Sequence, residues 1–183
     1  HNDKYYTPEA VVKKVIEVIE RDVMPINKFS RIIEPSAGAG AFLKRLPEKT
    51  IGYDIEPQSE NIIKGDYLKQ DIPYLKDSLV IGNPPFGESG NLHTEFIKRS
   101  IEHSDYVTFV LPGDMYKKDK FEGIELYKTY MLPAVKYSGV KLKCCFNIYR
   151  KRRKRLKEKN IKNVEILTFS KTKYIMILLK KLT

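Results

Sequence analysis

Five short apolar runs set the fold of this 183-residue chain more firmly than any other feature. They lie near Arg31 to Glu34, Thr50 to Tyr53, Asn61 to Gly65, Leu79 to Gly82 and Tyr106 to Leu111. Runs this short and apolar suit strands covered on both faces. Before the first run, Thr7 can cap a helix with Pro8 at its first position, and Val11, Val12, Val15, Ile16 and Ile19 form its buried stripe. Between the fourth and fifth, Leu92 to Glu102 places Leu92, Phe96, Ile97 and Ile101 on one side of a second helix. Such alternation predicts an α/β fold with a doubly wound, mostly parallel sheet. The last third differs. Leu142 to Tyr149, Val164 to Phe169 and Tyr174 to Leu179 are rich in β-formers with no helix-length pattern between them, which predicts an antiparallel edge.

In an open sheet of this kind, ligands bind where the strands end. The first strand runs into Glu34-Pro35-Ser36-Ala37-Gly38-Ala39-Gly40-Ala41-Phe42, which reads as a small-residue loop followed by a helix start. Leu43 stands where a dinucleotide fingerprint needs its third glycine, and the loop has no lysine followed by Ser or Thr as a P-loop would. What remains suits a ligand without phosphates. The second strand ends on Asp54, followed by Ile55, and that carboxylate is placed to accept from ribose hydroxyls. The third ends on Asp66-Tyr67, where the acid can accept from an adenine amino group. Both acids also suit a sulfonium. A helix cap or a turn is the alternative for each.

The fourth strand delivers Asn83-Pro84-Pro85-Phe86. In adenine the N6 lone pair is delocalised into the ring. An Asn83 side-chain oxygen and the Pro84 carbonyl accepting both amino hydrogens would draw that nitrogen toward tetrahedral geometry. The two prolines stiffen the loop, and Phe86 offers a flat face for a flipped base. A simple strand-terminating turn fits the same four residues. Beyond them, Gly87 to Asn91 reads as a loop able to close over a base, or as a plain connection. The segment from Pro112 to Tyr130 interleaves Tyr116, Phe121, Tyr127 and Tyr130 with Lys117, Lys118, Lys120 and Lys128. That mixture suits nucleotide stacking, or more simply an amphipathic helix.

Taken in order, Tyr6-Thr7-Pro8, Glu34 to Phe42, Asp54, Asp66-Tyr67 and Asn83 to Phe86 resemble the motifs of the S-adenosylmethionine-dependent adenine-N6 DNA methyltransferases, over about the first two thirds of the chain. The resemblance implies a Rossmann-like class I methyltransferase fold of seven strands, one of them reversed. It implies S-adenosylmethionine as cofactor, held by Tyr6, Thr7, Glu34, Pro35, Ser36, Gly38, Gly40, Phe42, Asp54, Ile55, Asp66, Tyr67 and Asn83. It gives Asn83, Pro84, Pro85 and Phe86 the catalytic role, and it makes Phe146 the aromatic facing the target base from the other side. The same quartet occurs in enzymes methylating RNA adenine and protein glutamine amides. DNA is the favoured partner by this reading, and RNA is the alternative. A nucleic-acid-binding partner subunit without activity and a protein-amide methyltransferase are further ones.

Charge agrees with a polyanionic partner. The formal net charge is +11, and Arg150 to Lys159 holds eight basic residues against one acid. Arg150, Lys151, Arg152 and Arg153 are therefore candidate phosphate contacts, on the expectation that their strand ends near the catalytic face. A solvated linker is the alternative. The adjacent Cys144 and Cys145 offer no disulfide framework and no metal spacing, which suits a reducing intracellular compartment, cytoplasmic or nuclear. No apolar run approaches the length of a membrane span. The expectation is one domain over residues 1–183 with no separate target-recognition domain, so that short loops or a partner subunit would read the target.

Overall fold

The computed structural model describes residues 7–87, 91–118, 121–137, 139–152, 166–167 and 176–177. They belong to two compact units, within residues 1–152 and 153–183. In the first unit, helix α1 (Glu9–Asp22) precedes strands β1 (Arg31–Glu34), β2 (Ile51–Asp54), β3 (Ile62–Lys64) and β4 (Ser78–Gly82). Helix α2 (Leu92–His103) follows, then β5 (Tyr106–Pro112), β6 (Ile124–Met131), β7 (Val135–Tyr137), β8 (Val140–Leu142) and β9 (Cys144–Lys151). Seven strands form one sheet in the order β3-β2-β1-β4-β5-β9-β6. The first five pair in parallel, and β9 runs antiparallel to both β5 and β6. The mostly parallel sheet with an antiparallel edge is therefore present. Its single reversed strand lies one place in from that edge.

Each face of the sheet has its own core and its own helix. Val11, Val12, Val15, Val18 and Ile19 of α1 pack with Ile32, Leu79, Ile81, Val110, Phe146 and Ile148. On the other face Phe96, Ile97 and Ile101 of α2 pack with Ile33, Val80, Val107, Phe109 and Leu111. Neighbouring residues of one strand go to opposite clusters because a pleated strand alternates its side chains. This explains why the strands read as unbroken apolar runs. Val18 is buried where the sequence pattern favoured Ile16, which is only partly buried.

Four expectations need correction. Ile124–Met131 is strand β6 and not an amphipathic helix. Pairing with β9 along most of its length, together with Ile, Thr and Tyr residues, outweighs its helical spacing. Within Val164 to Phe169 and Tyr174 to Leu179, the described pieces β10 (Ile166–Leu167) and β11 (Met176–Ile177) pair with each other in the second unit and do not join the seven-stranded sheet. The helix expected after the glycine loop is one 3-10 turn, Leu43–Arg45, with Pro47 shortly after it. Finally, Pro8 occupies the cap position of α1, and its carbonyl accepts from the amides of Val11 and Val12. Thr7 does not cap, and its hydroxyl serves elsewhere.

Beneath α2, the Tyr67 hydroxyl bonds Ser100 Oγ at 2.8 Å and His103 Nε2 at 2.7 Å. Burial, aided by the charges of Arg31 and Arg99, pushes the His103 pKa down from 6.5 to about 4. Between those values the unfolded chain binds more protons than the folded one. The stability tied to a neutral His103 is thus complete above about pH 6.5 and drains away as pH falls toward 4. We expect the urea midpoint of the protein to fall between pH 7 and 4.5, and that of His103→Gln to fall less over the same range. Parallel pH profiles for the two proteins would refute this role.

Candidate functional site

The carboxyl ends of β1 to β4 share one cavity of about 340 Å³, within the range of small-molecule sites. Thr7, Glu34, Pro35, Ser36, Gly38, Phe42, Asp54, Ile55, Asp66, Tyr67 and Asn83 line it, with Pro85 of the quartet. These are the cofactor-side residues singled out in the sequence, apart from Gly40 and Tyr6. Gly40 turns the loop with φ of 74° while its missing Cβ would face Leu43 and Ile62. Tyr6 lies outside the described residues.

The loop after β1 is shaped by Gly38, whose φ of 54° favours glycine. Its amide donates to Asp54 Oδ2 at 2.7 Å, while Asp54 Oδ1 accepts from the Glu56 amide at 2.8 Å. Asp54 thereby ties the first loop to the second. Asp66 caps the turn Tyr67–Lys69, accepting from the Leu68 amide at 3.1 Å, and it borders the cavity as well. The capping role and a place in the cavity coexist. Tyr67 presents only its ring there, stacked on Phe96 at 5.6 Å, because its hydroxyl is committed to Ser100 and His103.

Glu34 is the most costly group in the cavity. It is 2 % exposed. Burial raises its pKa well above 4.5, a bond from the Leu43 backbone opposes this, and the nearby Asp54 adds to it. Its Oε2 has no hydrogen-bond partner among the described residues. A buried carboxylate oxygen without a donor is expensive unless a ligand supplies one.

Asn83 is held from two sides. Its Nδ2 donates to Thr7 Oγ1 at 3.1 Å, and its backbone carbonyl accepts from Ser36 Oγ at 3.1 Å. Pro84 is buried behind the loop, and Phe86 stands outside the cavity lining, half-buried, edge-on to His93 at 6.2 Å. His93 is itself buried, which lowers its pKa, while Asp114 and a bond to the Phe86 backbone act the other way. Leu92, His93 and Phe96 belong to the site and were not recognised in the sequence as such. Their place in the first turns of α2, directly after the quartet, is the signal that was available.

Two candidate groups are elsewhere. Phe146 is 1 % exposed in the α1-side core, paired across the strands with Val110 and Tyr130. The pleat of β9 sends Cys144, Phe146 and Ile148 to that face, where Phe146 is enclosed in the core. Arg150 and Lys151 lie at the far end of the sheet, opposite Tyr106 and Ile124, because β9 runs against its neighbours. There Arg150 pairs with Glu125 and lies over the Tyr127 ring, and Lys151 lies over Tyr74. Arg152 adjoins them through its amide bond to the Gly123 carbonyl, and Arg153 falls outside the described residues, as do residues 88–90 of the loop after the quartet. Among the described residues no three His, Cys, Asp or Glu side chains could hold a metal ion, and no helix is long and apolar enough to cross a membrane. If Phe146 is a core residue, Phe146→Ala will cost about 3–5 kcal/mol in chemical denaturation, and Phe146→Leu will cost far less. Near-equal stability of Phe146→Ala and the parent protein would restore a role outside the core.

No family model matches the chain, and no curated protein does. Solved structures match it by shape. The 23S rRNA methyltransferase ErmE is 15 % identical with a TM-score of 0.58, over 81 % of this chain and 70 % of that one. The M protein of the type I restriction enzyme EcoKI is 17 % identical with a TM-score of 0.62, over 81 % of this chain and 44 % of that one. Magnesium protoporphyrin IX methyltransferase from Synechocystis PCC 6803, with bound S-adenosylmethionine, is 11 % identical with a TM-score of 0.51, over 78 % and 79 %. What the chain shares with all three is the fold, that of the Rossmann-like class I methyltransferases.

Proposed function

We propose that the chain transfers a methyl group from S-adenosylmethionine to the N6 amine of adenine in DNA. The observation that carries this reading is Asn83, its side-chain nitrogen bonded to Thr7 and its backbone carbonyl to Ser36, at a cavity whose other walls hold Glu34, Asp54 and Asp66. Three carboxylates around one cavity would repel a pyrophosphate and attract a cationic ligand. The unpartnered Glu34 oxygen suits an ammonium or sulfonium group, and Asp54 and Asp66 can accept from ribose hydroxyls and a purine amine. Phe42, Tyr67, Leu92 and Phe96 supply apolar walls for a planar ring. The residues fit the cofactor.

Once bound, S-adenosylmethionine supplies an electrophilic methyl carbon on a positive sulfur. The protein's part is placement. Thr7 fixes the Asn83 amide by its nitrogen end, which sets the direction of the oxygen. That oxygen and the Pro84 carbonyl accept the two amino hydrogens of the target, so that its lone pair points out of the purine plane. Pro84 and Pro85 hold this geometry without backbone donors of their own. Phe86, steadied by His93, offers a stacking face to the incoming base. No covalent intermediate is required, since orientation and two acceptors suffice.

Adenine in RNA is the second reading. It is favoured by the extent of the match to the 23S rRNA enzyme, 70 % of that chain against 44 % of the EcoKI M protein. An unpaired adenine in folded RNA also needs no extrusion from a duplex. For either substrate, target choice would rest on short loops or a partner subunit.

The deciding experiment offers labelled S-adenosylmethionine together with duplex DNA, single-stranded DNA or structured RNA, followed by nucleoside mass spectrometry. Label in N6-methyladenine from DNA is the expected result, and label only in RNA would promote the second reading. Asn83→Ala should abolish turnover and leave cofactor affinity nearly intact, and lost cofactor binding would overturn this division of labour. Glu34→Gln tests the cost at the cavity floor. The folded-state pKa of Glu34 lies above its unfolded value, so stability declines as pH rises from about 4.5. At neutral pH we expect Glu34→Gln to raise the melting temperature of the ligand-free protein while weakening cofactor binding about 10- to 100-fold, the range of a charged hydrogen bond. A lower melting temperature together with unchanged affinity would refute it.

A further inference from the structure

We propose that the β7–β8 hairpin, with Lys143 and the turn Tyr116–Lys118, is the surface that docks the phosphate backbone of nucleic acid, in place of the Arg150 to Arg153 run. The proposal rests on the nucleic-acid reading above and adds to it where the polyanion lies.

Strand direction is the first argument. β6 and β5 both run antiparallel to β9, so β6 ends, and β9 begins, at the end of the sheet where β1 to β4 open on the cavity. The hairpin joins β6 to β9 and therefore rises from the cavity end. Backbone bonds anchor its base: the Leu132 amide donates to the Cys144 carbonyl at 3.0 Å, and the Gly113 amide to the Lys143 carbonyl at 2.9 Å. Glycine suits position 113, since a Cβ there would stand a tight 3.0 Å from the Lys143 oxygen.

Charge is the second argument. Residues 132 to 143 contain three lysines and no acid. The hairpin register sets Lys136 directly opposite Lys141. Lys143 is exposed two residues further along the chain. The turn after β5 adds Lys117, also exposed, 5.2 Å from the Tyr116 ring centroid, with Tyr116 itself 37 % exposed. Lys117 holds a φ of 61°, uncommon for a side chain of its kind, and Lys118 is paired with Asp114 at 2.9 Å. Met131, 50 % exposed at the end of β6, adds an apolar contact.

Proximity to the quartet is the third argument. Asp114 and Lys118 both act electrostatically on His93, whose ring packs against Phe86. The turn after β5 therefore borders the side on which a base would enter. By contrast, Arg150 and Lys151 lie a full strand length away, engaged by Glu125, Tyr127 and Tyr74.

The test measures binding without methyl transfer, using adenine-free fluorescent oligonucleotides, a thymidine single strand and a G·C duplex, over a range of salt. Replacing Lys136, Lys141 and Lys143 together by Gln should weaken binding at least tenfold and lower the slope of log K against log salt by about 2 to 3, at about 0.7–0.9 for each lost phosphate contact. The same three positions changed to Arg should keep both values, and Arg150→Gln with Lys151→Gln should change them less. Cofactor affinity by calorimetry reports the fold. If the Gln triple loses it, Lys143→Glu alone decides. Wild-type affinity and slope in the Gln variant, a larger loss from the Arg150 and Lys151 pair, or no oligonucleotide binding by the parent protein would each overturn the proposal. Failure of the adenine reading shows separately, as absence of labelled N6-methyladenine from a protein whose binding still depends on the hairpin.

Discussion

A single hydroxyl joins the two loops on which the site depends: Ser36, after β1, donates to the carbonyl of Asn83, after β4. The bond is possible because β1 and β4 are parallel neighbours, with Ile33 opposite Val80, and leave the sheet side by side. Both strands are buried on both faces, so their register cannot slip without turning apolar side chains toward the wrong core. Thr7 adds a third element from before α1 and takes the Asn83 nitrogen. Three segments distant in sequence thus converge on one residue, Asn83, held at its backbone carbonyl and at its side-chain nitrogen.

The same cavity carries an energetic penalty that the fold has no need of. Glu34 is buried, has an oxygen without a donor among the described residues, and lies near a second carboxylate, Asp54. The sheet would pack as well with an uncharged residue of similar size there. A penalty of this kind, retained in a cavity with two further acids and several aromatic walls, is what a cationic, partly aromatic ligand would relieve. Stability and binding therefore pull in opposite directions at this position.

The reversal of β9 has consequences well beyond the edge of the sheet. It carries Arg150 and Lys151 to the end of the sheet away from the cavity and starts the β7–β8 hairpin from the cavity end. It also fixes which side chains of Cys144 to Lys151 face α1, and so makes Phe146 a core residue. One strand's direction decides which of its residues lie at the cavity end of the sheet.

The five parallel strands, the two helices and the residues around the cavity were legible in the sequence because each depends on local pattern. An apolar run buried on both faces, a small-residue loop and an Asn-Pro-Pro-Phe quartet keep their chemistry whatever surrounds them. The capping role of Asp66 was legible too, and it leaves Asp66 in the cavity lining. What the sequence could not settle depends on partners far along the chain. Ile124 to Met131 carries both a helical spacing and a β-rich composition, and only pairing with β9 selects the strand. Phe146 and Arg150 are ordinary candidates for a site until strand parity and direction assign one to the core and the other to the far end. Local residue chemistry wrote the list of groups. Long-range pairing, which no short window of sequence contains, decided which of them meet.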